Sequence, residues 1–277
     1  MEPLLKSKDI AMTDRIVGVP TGFKDLDRYT SGLQSGDLVI IAARPCMGKT
    51  ALASNIAINA ALDHEVPVCI FSLELLKDVL ERRLLSTISR IAYSRLLSAA
   101  LEDSDWPKML QGVKSLSASS IYIDETPNFS VEEMLTAARR MKSEFNIGLI
   151  VVDYLQLMHG SNSDSRNQEI YEISRSLKAM AKELYIPVIA LSQLNRSLEN
   201  RNDKRPILSD LHGAIEQNAD VIFFIYRDEY YNKSPGNPRR GITEVIIGKQ
   251  RNGPVGTIDL VFLHNTITFR DLTHSEN

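Results

Sequence analysis

Short apolar runs rich in Val and Ile recur along the chain and alternate with longer segments of helical periodicity. Eight such runs predict strands: LVIIA (38–42), VCIFSL (68–73), IYID (121–124), LIVVDYL (149–155), VIALS (188–192), VIFFIY (221–226), EVIIG (244–248) and IDLVFL (258–263). The first six are apolar at consecutive positions. This pattern is typical of strands buried on both faces, in a parallel sheet covered by helices.

The segments between the strands predict helices over 49–62, 78–98, 130–145 and 166–185. The third opens with Ser130-Val131-Glu132-Glu133, a capping-box pattern, and the fourth ends before Pro187. Alternating strands and helices predict one α/β domain with a mainly parallel sheet. The last strands follow one another without helices, so we expect an antiparallel C-terminal extension.

Composition narrows the class of protein. The 277 residues are 43% hydrophobic and 24% charged, which suffices for a sizeable core. Their net charge is −3, so any contact with nucleic acid must be local. Cys46 and Cys69 cannot build a disulfide framework, and Cys69 is expected in the core. The N-terminus lacks a signal-peptide pattern and no apolar run approaches ~18 residues, so we expect a cytoplasmic protein.

The segment ARPCMGKT (43–50) lies between the first predicted strand and the first predicted helix. Gly48, Lys49 and Thr50 match the nucleotide-binding pattern, whereas Ala43 stands where that pattern has its first Gly. In such a loop, backbone N–H groups and the helix dipole bind phosphates. The lysine would reach the terminal phosphates and the threonine would hold Mg²⁺. The alternative is an ordinary turn with a surface lysine.

Three polar residues at the ends of other predicted strands would complete such a site. Asp153 would bind Mg²⁺ through water, and Glu74 would be the general base that activates the attacking water. Gln193 would contact the γ-phosphate and sense the nucleotide state. The carboxyl ends of parallel strands all lie on one side of the sheet, as this site requires. The alternatives are a turn-capping role for Asp153 and a helix-start role for Glu74.

Two cations stand close together late in the chain. The segment KQRNGP places Lys249 and Arg251 two residues apart at a strand end, so their side chains point the same way. This arrangement predicts either a solvated basic edge or a guanidinium supplied to the γ-phosphate of a neighbouring subunit.

Several long segments, in order, resemble the C-terminal motor domain of DnaB-type replicative DNA helicases. They are TGFKDLD, SGLQSGDLVIIAARPCMGKT, FSLE, LIVVDYLQLM, SRSLKAMAKEL, LSQLNRSLENRNDKRPILSD, GAIEQNADVIFFIYRDEYYN and KQRNGPVGT. The resemblance runs from about Val17 to Leu272. We therefore expect a motor domain over 17–273, between a linker or arm (1–16) and a tail (274–277). That family also has Ala in place of the first loop Gly.

The resemblance implies a RecA-like P-loop NTPase fold and a ring of six identical subunits. It implies hydrolysis of ATP with Mg²⁺ at subunit interfaces and movement 5′ to 3′ on single-stranded DNA. It also implies primase and a helicase loader as partners, and no membrane association.

The resemblance also assigns roles to individual residues. By motif match, the residues that contact phosphate and Mg²⁺ are Cys46, Gly48, Lys49, Thr50 and Ala51. Glu74 would be the catalytic carboxylate, Arg83 a helix arginine near the site, Asp153 the metal carboxylate and Gln193 the sensor. The residues that reach into the adjacent subunit's site would be Lys249, Gln250 and Arg251.

The sequence departs from the family pattern in three places. The N-terminal helical collar is missing, which indicates a fragment or a minimal form. Cys46 replaces the usual Ser or Gly, with little effect expected because the backbone N–H binds there. The family's SDLRESGAIEQ is SDLHGAIEQ here, so His212 and Gly213 remain as the DNA-contacting residues. We expect weaker binding of single-stranded DNA, unless the shorter loop shifts and its amides still bind phosphate.

Two alternatives to a helicase motor stay open. One is a RecA-like ATPase that acts as a recombination or clock-type switch and does not unwind DNA. The other is a ring-forming scaffold or loading module with a weakened grip on DNA. The segments KQRNGP and DYLQLM favour the helicase motor over the first alternative, and the shortened loop keeps the second open.

Overall fold

The computed structural model describes residues 16–127, 129–158 and 165–272. The predicted arm and tail lie outside these residues, except for Ile16. Within the described part of the chain, strands form one sheet in the order β3-β2-β4-β5-β1-β6-β7-β8-β9. Their bounds are β1 Leu38–Ala43, β2 Val68–Ser72, β3 Ile121–Asp124, β4 Leu149–Asp153, β5 Val188–Gln193, β6 Val221–Tyr226, β7 Ile242–Gln250, β8 Gly256–Leu263 and β9 Thr268–Asp271.

The first six strands pair in parallel and the last three pair antiparallel. The predicted fold class, a mainly parallel sheet with an antiparallel C-terminal extension, is therefore confirmed. Runs such as LVIIA become strands buried on both faces, since helices cover both sides of the sheet. β3 differs from this expectation. Its residues are only half-buried, because β3 is the outermost strand and has a neighbouring strand on one side only.

Helices in the described residues lie on the two faces of the sheet. Their bounds are α1 Lys24–Thr30, α2 Lys49–Asp63, α3 Lys77–Ser89, α4 Tyr93–Ser98, α5 Asp105–Ala118, α6 Val131–Phe145, α7 Arg166–Leu184 and α8 Asp228–Tyr231. A hydrophobic core lies on each face of the sheet, and alternate residues of β1 belong to different cores. Val39 and Ile41 pack with α1, α2 and α3, whereas Leu38 and Ile40 pack with α6 and α7.

The sequence patterns predict some helices and miss others. The predicted capping box is confirmed, because Ser130 and Glu133 exchange side-chain and backbone hydrogen bonds at the start of α6. The single helix predicted over 78–98 is wrong. Arg90 adopts the left-handed conformation (φ 58°) and ends α3, and α4 begins three residues later. Helices α1, α5 and α8 and strand β9 were not predicted.

The direction in which each strand runs determines which residues share an edge of the sheet, that is, one of the two sides at which strands begin and end. Strands β1, β2, β4 and β5 all end at one edge, and Ala43 lies opposite Gln193 there. β7 runs the other way, so that Gln250 lies opposite Val221 at the start of β6. The end of β7 therefore lies at the opposite edge of the sheet from the end of β1. No helix in the described ranges is long and apolar enough to cross a membrane.

Candidate nucleotide-binding site

The loop from Arg44 to Gly48 joins β1 to α2 in a conformation that requires glycine at its last position. Gly48 has φ 102°, and a Cβ added there would lie 3.0 Å from Cζ of Phe269. Cys46 also has positive φ, 65°. Ala43, by contrast, is the last residue of β1 and is fully buried. An ordinary strand conformation suffices at Ala43, so this position does not need the glycine of the general pattern.

Thr50 and Asp153 form the part of the site that fits a divalent cation. The Thr50 hydroxyl donates a hydrogen bond to Oδ2 of Asp153, 2.8 Å away. Oδ1 of Asp153 is buried and has no hydrogen-bond partner among the described residues. Burial raises the pKa of Asp153 to about 6, although the Thr50 hydrogen bond opposes this shift. A buried oxygen without a donor and a hydroxyl beside it suit Mg²⁺, whose remaining ligands would be phosphate and water.

Lys49 lies at the start of α2, with its ammonium 5.2 Å from the centre of the Tyr154 ring. Burial lowers the pKa of Lys49, whereas the charges of Asp153 and Glu74 raise it. Phosphate groups beside Lys49 would favour its charged form for the same electrostatic reason. The side chain therefore lies where an anionic ligand would stabilise it.

A cavity of about 410 Å³ opens above the loop. Its walls include eight of the predicted site residues: Cys46, Gly48, Lys49, Thr50, Ala51, Glu74, Arg83 and Gln193. Asp153 joins this set through its hydrogen bond to Thr50. The parallel strands thus bring together side chains that are far apart in the sequence, from Cys46 to Gln193.

Glu74 and Gln193 differ in how the structure holds them. Glu74 is exposed and follows the end of β2, where the Leu73 N–H donates to the backbone carbonyl of Asp153 (2.8 Å). Gln193 is held through its backbone, because its N–H donates to the Gln156 side chain (3.3 Å) and its carbonyl accepts from the same amide (3.4 Å). The backbone at the Gln193 position is therefore braced by the segment that follows β4.

Lys249, Gln250 and Arg251 lie away from this cavity, at the opposite edge of the sheet. Each contacts its own chain there. Lys249 donates to the backbone carbonyl of Ala219 (2.7 Å), and the Gln250 amide donates to that of Tyr29 (2.9 Å). Arg251 lies 3.3 Å from Oδ1 of Asp220 and donates to the Gln217 carbonyl (3.1 Å).

His212 and Gly213 also lie outside the cavity, between two short 3-10 turns. Gly213 has φ 66°, and a Cβ there would come within 2.6 Å of the Asn167 carbonyl oxygen and 2.8 Å of the Ile170 side chain. The missing side chain thus lets the loop pack against α7. Three cations that precede this loop in the sequence contact their own chain: Arg201 pairs with Asp210, Arg205 with Glu244, and Lys204 donates to backbone carbonyls.

Several residues around the site are not marked by any sequence motif. Arg44 is buried, donates to the Leu194 carbonyl (2.9 Å) and pairs with Glu199 (2.7 Å), which ties the loop to the segment after β5. Phe262, from β8, and Ile267, from the turn between β8 and β9, line the cavity. Their long sequence separation from the loop leaves no local signal. Only the position of Arg44 inside the ARPCMGKT motif could have drawn attention to it.

Arg227 reaches the loop from the end of β6. Its guanidinium donates to the Cys46 carbonyl (3.4 Å), pairs with Glu229 and lies 4.7 Å from the centre of the Phe262 ring. Arg227 is itself buried. It therefore connects the phosphate loop to the C-terminal strands.

The strand order, the loop between β1 and α2, and the carboxylates at one sheet edge define a RecA-like P-loop domain. A family model described as the DnaB-like helicase C-terminal domain matches residues 18–271. The chain belongs to that family.

Relatives and solved structures agree with this assignment. The chain is 51% identical over 261 residues to the replicative DNA helicase DnaB of Geobacillus stearothermophilus, and 50% identical over 261 residues to the replicative DNA helicase DnaC of Bacillus subtilis. Each match covers 93% of this chain but 57% of the relative, so the chain spans little more than half of their length.

Two solved structures superpose closely on this chain. One, described as an ATPase domain, has a TM-score of 0.89 at 42% identity, with 94% of this chain and 93% of that chain covered. A DnaB-like replicative helicase, solved in a study of its interactions with primase, has a TM-score of 0.89 at 43% identity. That match covers 94% of this chain and 63% of the other.

Proposed function

We propose that this chain is the motor of an ATP-dependent replicative DNA helicase that moves 5′ to 3′ on single-stranded DNA. The observation that carries the proposal is the hydrogen-bonded Thr50–Asp153 pair beside Lys49, with Glu74 lining the same cavity. These are the parts that phosphoryl transfer to water requires. Membership of the DnaB-like helicase family supports DNA as the polymer along which the motor moves.

Each group has one role in the proposed hydrolysis. N–H groups of the 44–48 loop and the start of α2 bind the phosphates, and Lys49 offsets their charge. Thr50 and Asp153 would hold Mg²⁺, which would neutralise charge that develops on the phosphates. Glu74 accepts the proton of the attacking water, as an exposed carboxylate at the mouth of the cavity can. Gln193 contacts the γ-phosphate and reports its presence to the segment after β5.

The cavity also has an apolar end. This end is lined by Phe262, from β8, and by Ile267, from the turn between β8 and β9. We assign the phosphates to the loop and the nucleotide base to this apolar end, since a planar base gains most from apolar contact. Arg83, whose buried Nε has no partner in the described residues, also lines the cavity, and its charge acts to lower the pKa of Asp153.

The proposed assembly is a ring of six copies in the cytoplasm, with primase and a helicase loader as partners. In this ring residues 17–273 form the motor domain. Lys249, Gln250 and Arg251 act on the nucleotide of the adjacent subunit, which their position at the far edge of the sheet supports. His212 and Gly213 contact DNA in the central channel. The structure solved to study a DnaB-like helicase with primase supports the choice of primase.

The experiment combines ATP hydrolysis with strand displacement. Hydrolysis is measured with and without an oligonucleotide, and displacement on forked duplexes carrying either a 5′ or a 3′ single-stranded tail. We expect DNA-stimulated hydrolysis, displacement only from the 5′ tail, and loss of both in Lys49→Ala. Lys114→Ala, which changes an exposed lysine on α5, is the matched control.

The outcomes separate the proposed function from its alternatives. Hydrolysis without displacement from either tail would indicate a RecA-like ATPase that does not unwind DNA. Ring formation without hydrolysis would indicate a scaffold or loading module. Displacement from the 3′ tail would contradict the proposed direction of movement.

A further inference from the structure

The turn between β8 and β9 contains an unusual backbone conformation at the edge of the cavity. Ile267 has φ 54° and ψ 39°, in the left-handed region. A β-branched residue is strained there, because its Cβ branches crowd the backbone. Such strain persists only where the surrounding contacts impose it, and it occurs preferentially at functional sites.

Asn55 supplies two of the hydrogen bonds that hold this turn, within which the Ile267 N–H also donates to the His264 carbonyl (3.4 Å). Its Oδ1 accepts a hydrogen bond from the Phe269 N–H (2.6 Å), and its Nδ2 donates to the Ile267 carbonyl (3.3 Å). Asn55 is 3% exposed, so both bonds are shielded from water. The Thr87 hydroxyl, from α3, donates to the same carbonyl (3.4 Å) and to that of Thr266 (3.2 Å).

The same contacts join the apolar end of the cavity to the phosphate loop. Asn55 lies on α2, the helix that Lys49 and Thr50 begin, while Ile267 lines the cavity. Phe269, bonded to Asn55 through its N–H, packs against Gly48 of the loop. One buried amide on the helix of the phosphate-binding groups thus bonds directly to the backbone of the wall formed by Ile267.

We propose that Asn55 is a positioning residue for nucleotide recognition, which holds Ile267 as the wall against which the base of the bound nucleotide lies. The ligand class is a nucleoside triphosphate, whose planar base would lie against Ile267. The proposal rests on the proposed function only for the presence of nucleotide in the cavity. It adds that the base and the phosphates are bound by separable groups, and that Asn55 sets the geometry of the base side.

The test compares ATP with inorganic tripolyphosphate, a ligand that keeps the phosphates and lacks the base. Affinities for both, each with Mg²⁺, are measured by calorimetry on the full chain. We expect Asn55→Ala to weaken ATP binding about tenfold and to change tripolyphosphate binding by less than about twofold. Ile267→Ala, which leaves Asn55 in place, should give the same pattern because it removes the wall itself.

Asn59→Ala is the matched control. Asn59 lies about one turn further along α2, and its amide also donates to a backbone carbonyl, that of Thr21 (2.9 Å), outside the cavity. We expect this variant to lose thermal stability without altering the ratio of the two affinities. General destabilisation of the fold does not change that ratio.

Two results would overturn the proposal. Equal weakening of ATP and tripolyphosphate by Asn55→Ala would mean that Asn55 supports only the phosphate loop. Unchanged ATP affinity in Ile267→Ala would mean that the base does not lie on this wall. If Asn55→Ala weakens ATP binding and not tripolyphosphate binding, but the wild-type chain displaces no DNA strand, the helicase proposal fails while the role of Asn55 stands.

Discussion

At the scale of single residues, two carboxylates near one edge of the sheet have opposite environments. Asp153 is buried, accepts a hydrogen bond from Thr50 and has a raised pKa, whereas Glu74 is exposed at the mouth of the cavity. A buried carboxylate is charged most readily when a cation is beside it. An exposed carboxylate is free to accept a proton from water. Their environments support a metal role for Asp153 and a base role for Glu74.

Glu74→Gln tests this division of roles. We expect it to bind ATP as the wild type does, and to lose roughly two or more orders of magnitude in turnover, the usual cost of losing a general base. Single-turnover hydrolysis and equilibrium ATP binding are the measurements. Glu81→Gln, which changes an exposed carboxylate on α3, is the control. Near-normal turnover in Glu74→Gln would show that another group activates the water.

A second carboxylate prediction concerns pH. Burial alone would raise the pKa of Glu229, but hydrogen bonds from Arg227, the Gly241 N–H and His264 lower it to about 2. A depressed carboxyl pKa stabilises the folded state above the unfolded value near 4.5. That stability is lost as the pH falls from about 4.5 towards 2. Glu229→Gln should therefore be less stable than the wild type at pH 7.

The Glu229→Gln difference should shrink as the pH falls below about 4.5, because the carboxyl of the unfolded wild-type chain then binds a proton while the folded one stays charged down to about pH 2. Urea unfolding between about pH 3 and pH 7 measures it. Glu144→Gln, at an exposed position on α6, should show little difference from the wild type at any pH. A deficit for Glu229→Gln that is the same at both ends of the range would contradict the ion-pair interpretation.

At the scale of elements, the start of α6 is determined by four consecutive residues. The Ser130 hydroxyl accepts from the Glu133 N–H, while the Glu133 carboxylate accepts from the Ser130 N–H (2.9 Å). These bonds satisfy N–H groups that a helix start leaves without partners. The hydrogen bonds from Ser130 also lower the pKa of Glu133.

Ser130→Ala should lower the free energy of unfolding by about 1 kcal/mol, the usual cost of losing an N-cap. Ser143→Ala, an exposed change within the same helix, is the control and should be neutral or slightly stabilising, since alanine favours helix. Urea unfolding of both variants gives the comparison. Equal stabilities would mean that packing of α6 on the sheet, rather than its cap, determines where it begins.

At the scale of the whole molecule, Arg251 and the cavity occupy opposite edges of the sheet. The strand β1 between these edges has six residues, which at about 3.3 Å per residue is about 20 Å. An arginine side chain cannot span this distance, so Arg251 cannot reach the nucleotide of its own chain. A role in hydrolysis would therefore require a second subunit.

Mixing two inactive variants tests that role. Arg251→Ala and Lys49→Ala are each expected to abolish hydrolysis in a uniform ring. In mixed rings, some interfaces pair an intact Lys49 with an intact Arg251, so we expect partial recovery of ATP hydrolysis. Lys114→Ala, expected to be active by itself, is mixed with Lys49→Ala to show how much activity remains when active subunits are only diluted. No recovery in rings shown to be mixed would contradict action between subunits.

Local spacing in the sequence was enough to predict the parallel strands, the capping box of α6 and the position of the phosphate loop. Each depends on residues a few positions apart: consecutive apolar residues for β1, Ser130 with Glu133, and Gly48 with Lys49. The shared edge of parallel strands then predicted that Glu74, Asp153 and Gln193 would lie near the loop. These polar groups do lie together around the cavity or through Thr50.

Tertiary structure decided the features that depend on contacts between distant segments. The break at Arg90 interrupts an apolar periodicity that continues beyond it, so the pattern alone predicted one helix. Ile267 is held in its left-handed conformation in part by Asn55, 212 positions earlier, and no short motif indicates this contact. The register of β7 against β6 separates Arg251 from its own cavity, because strand pairing depends on packing across the whole sheet and not on any short motif.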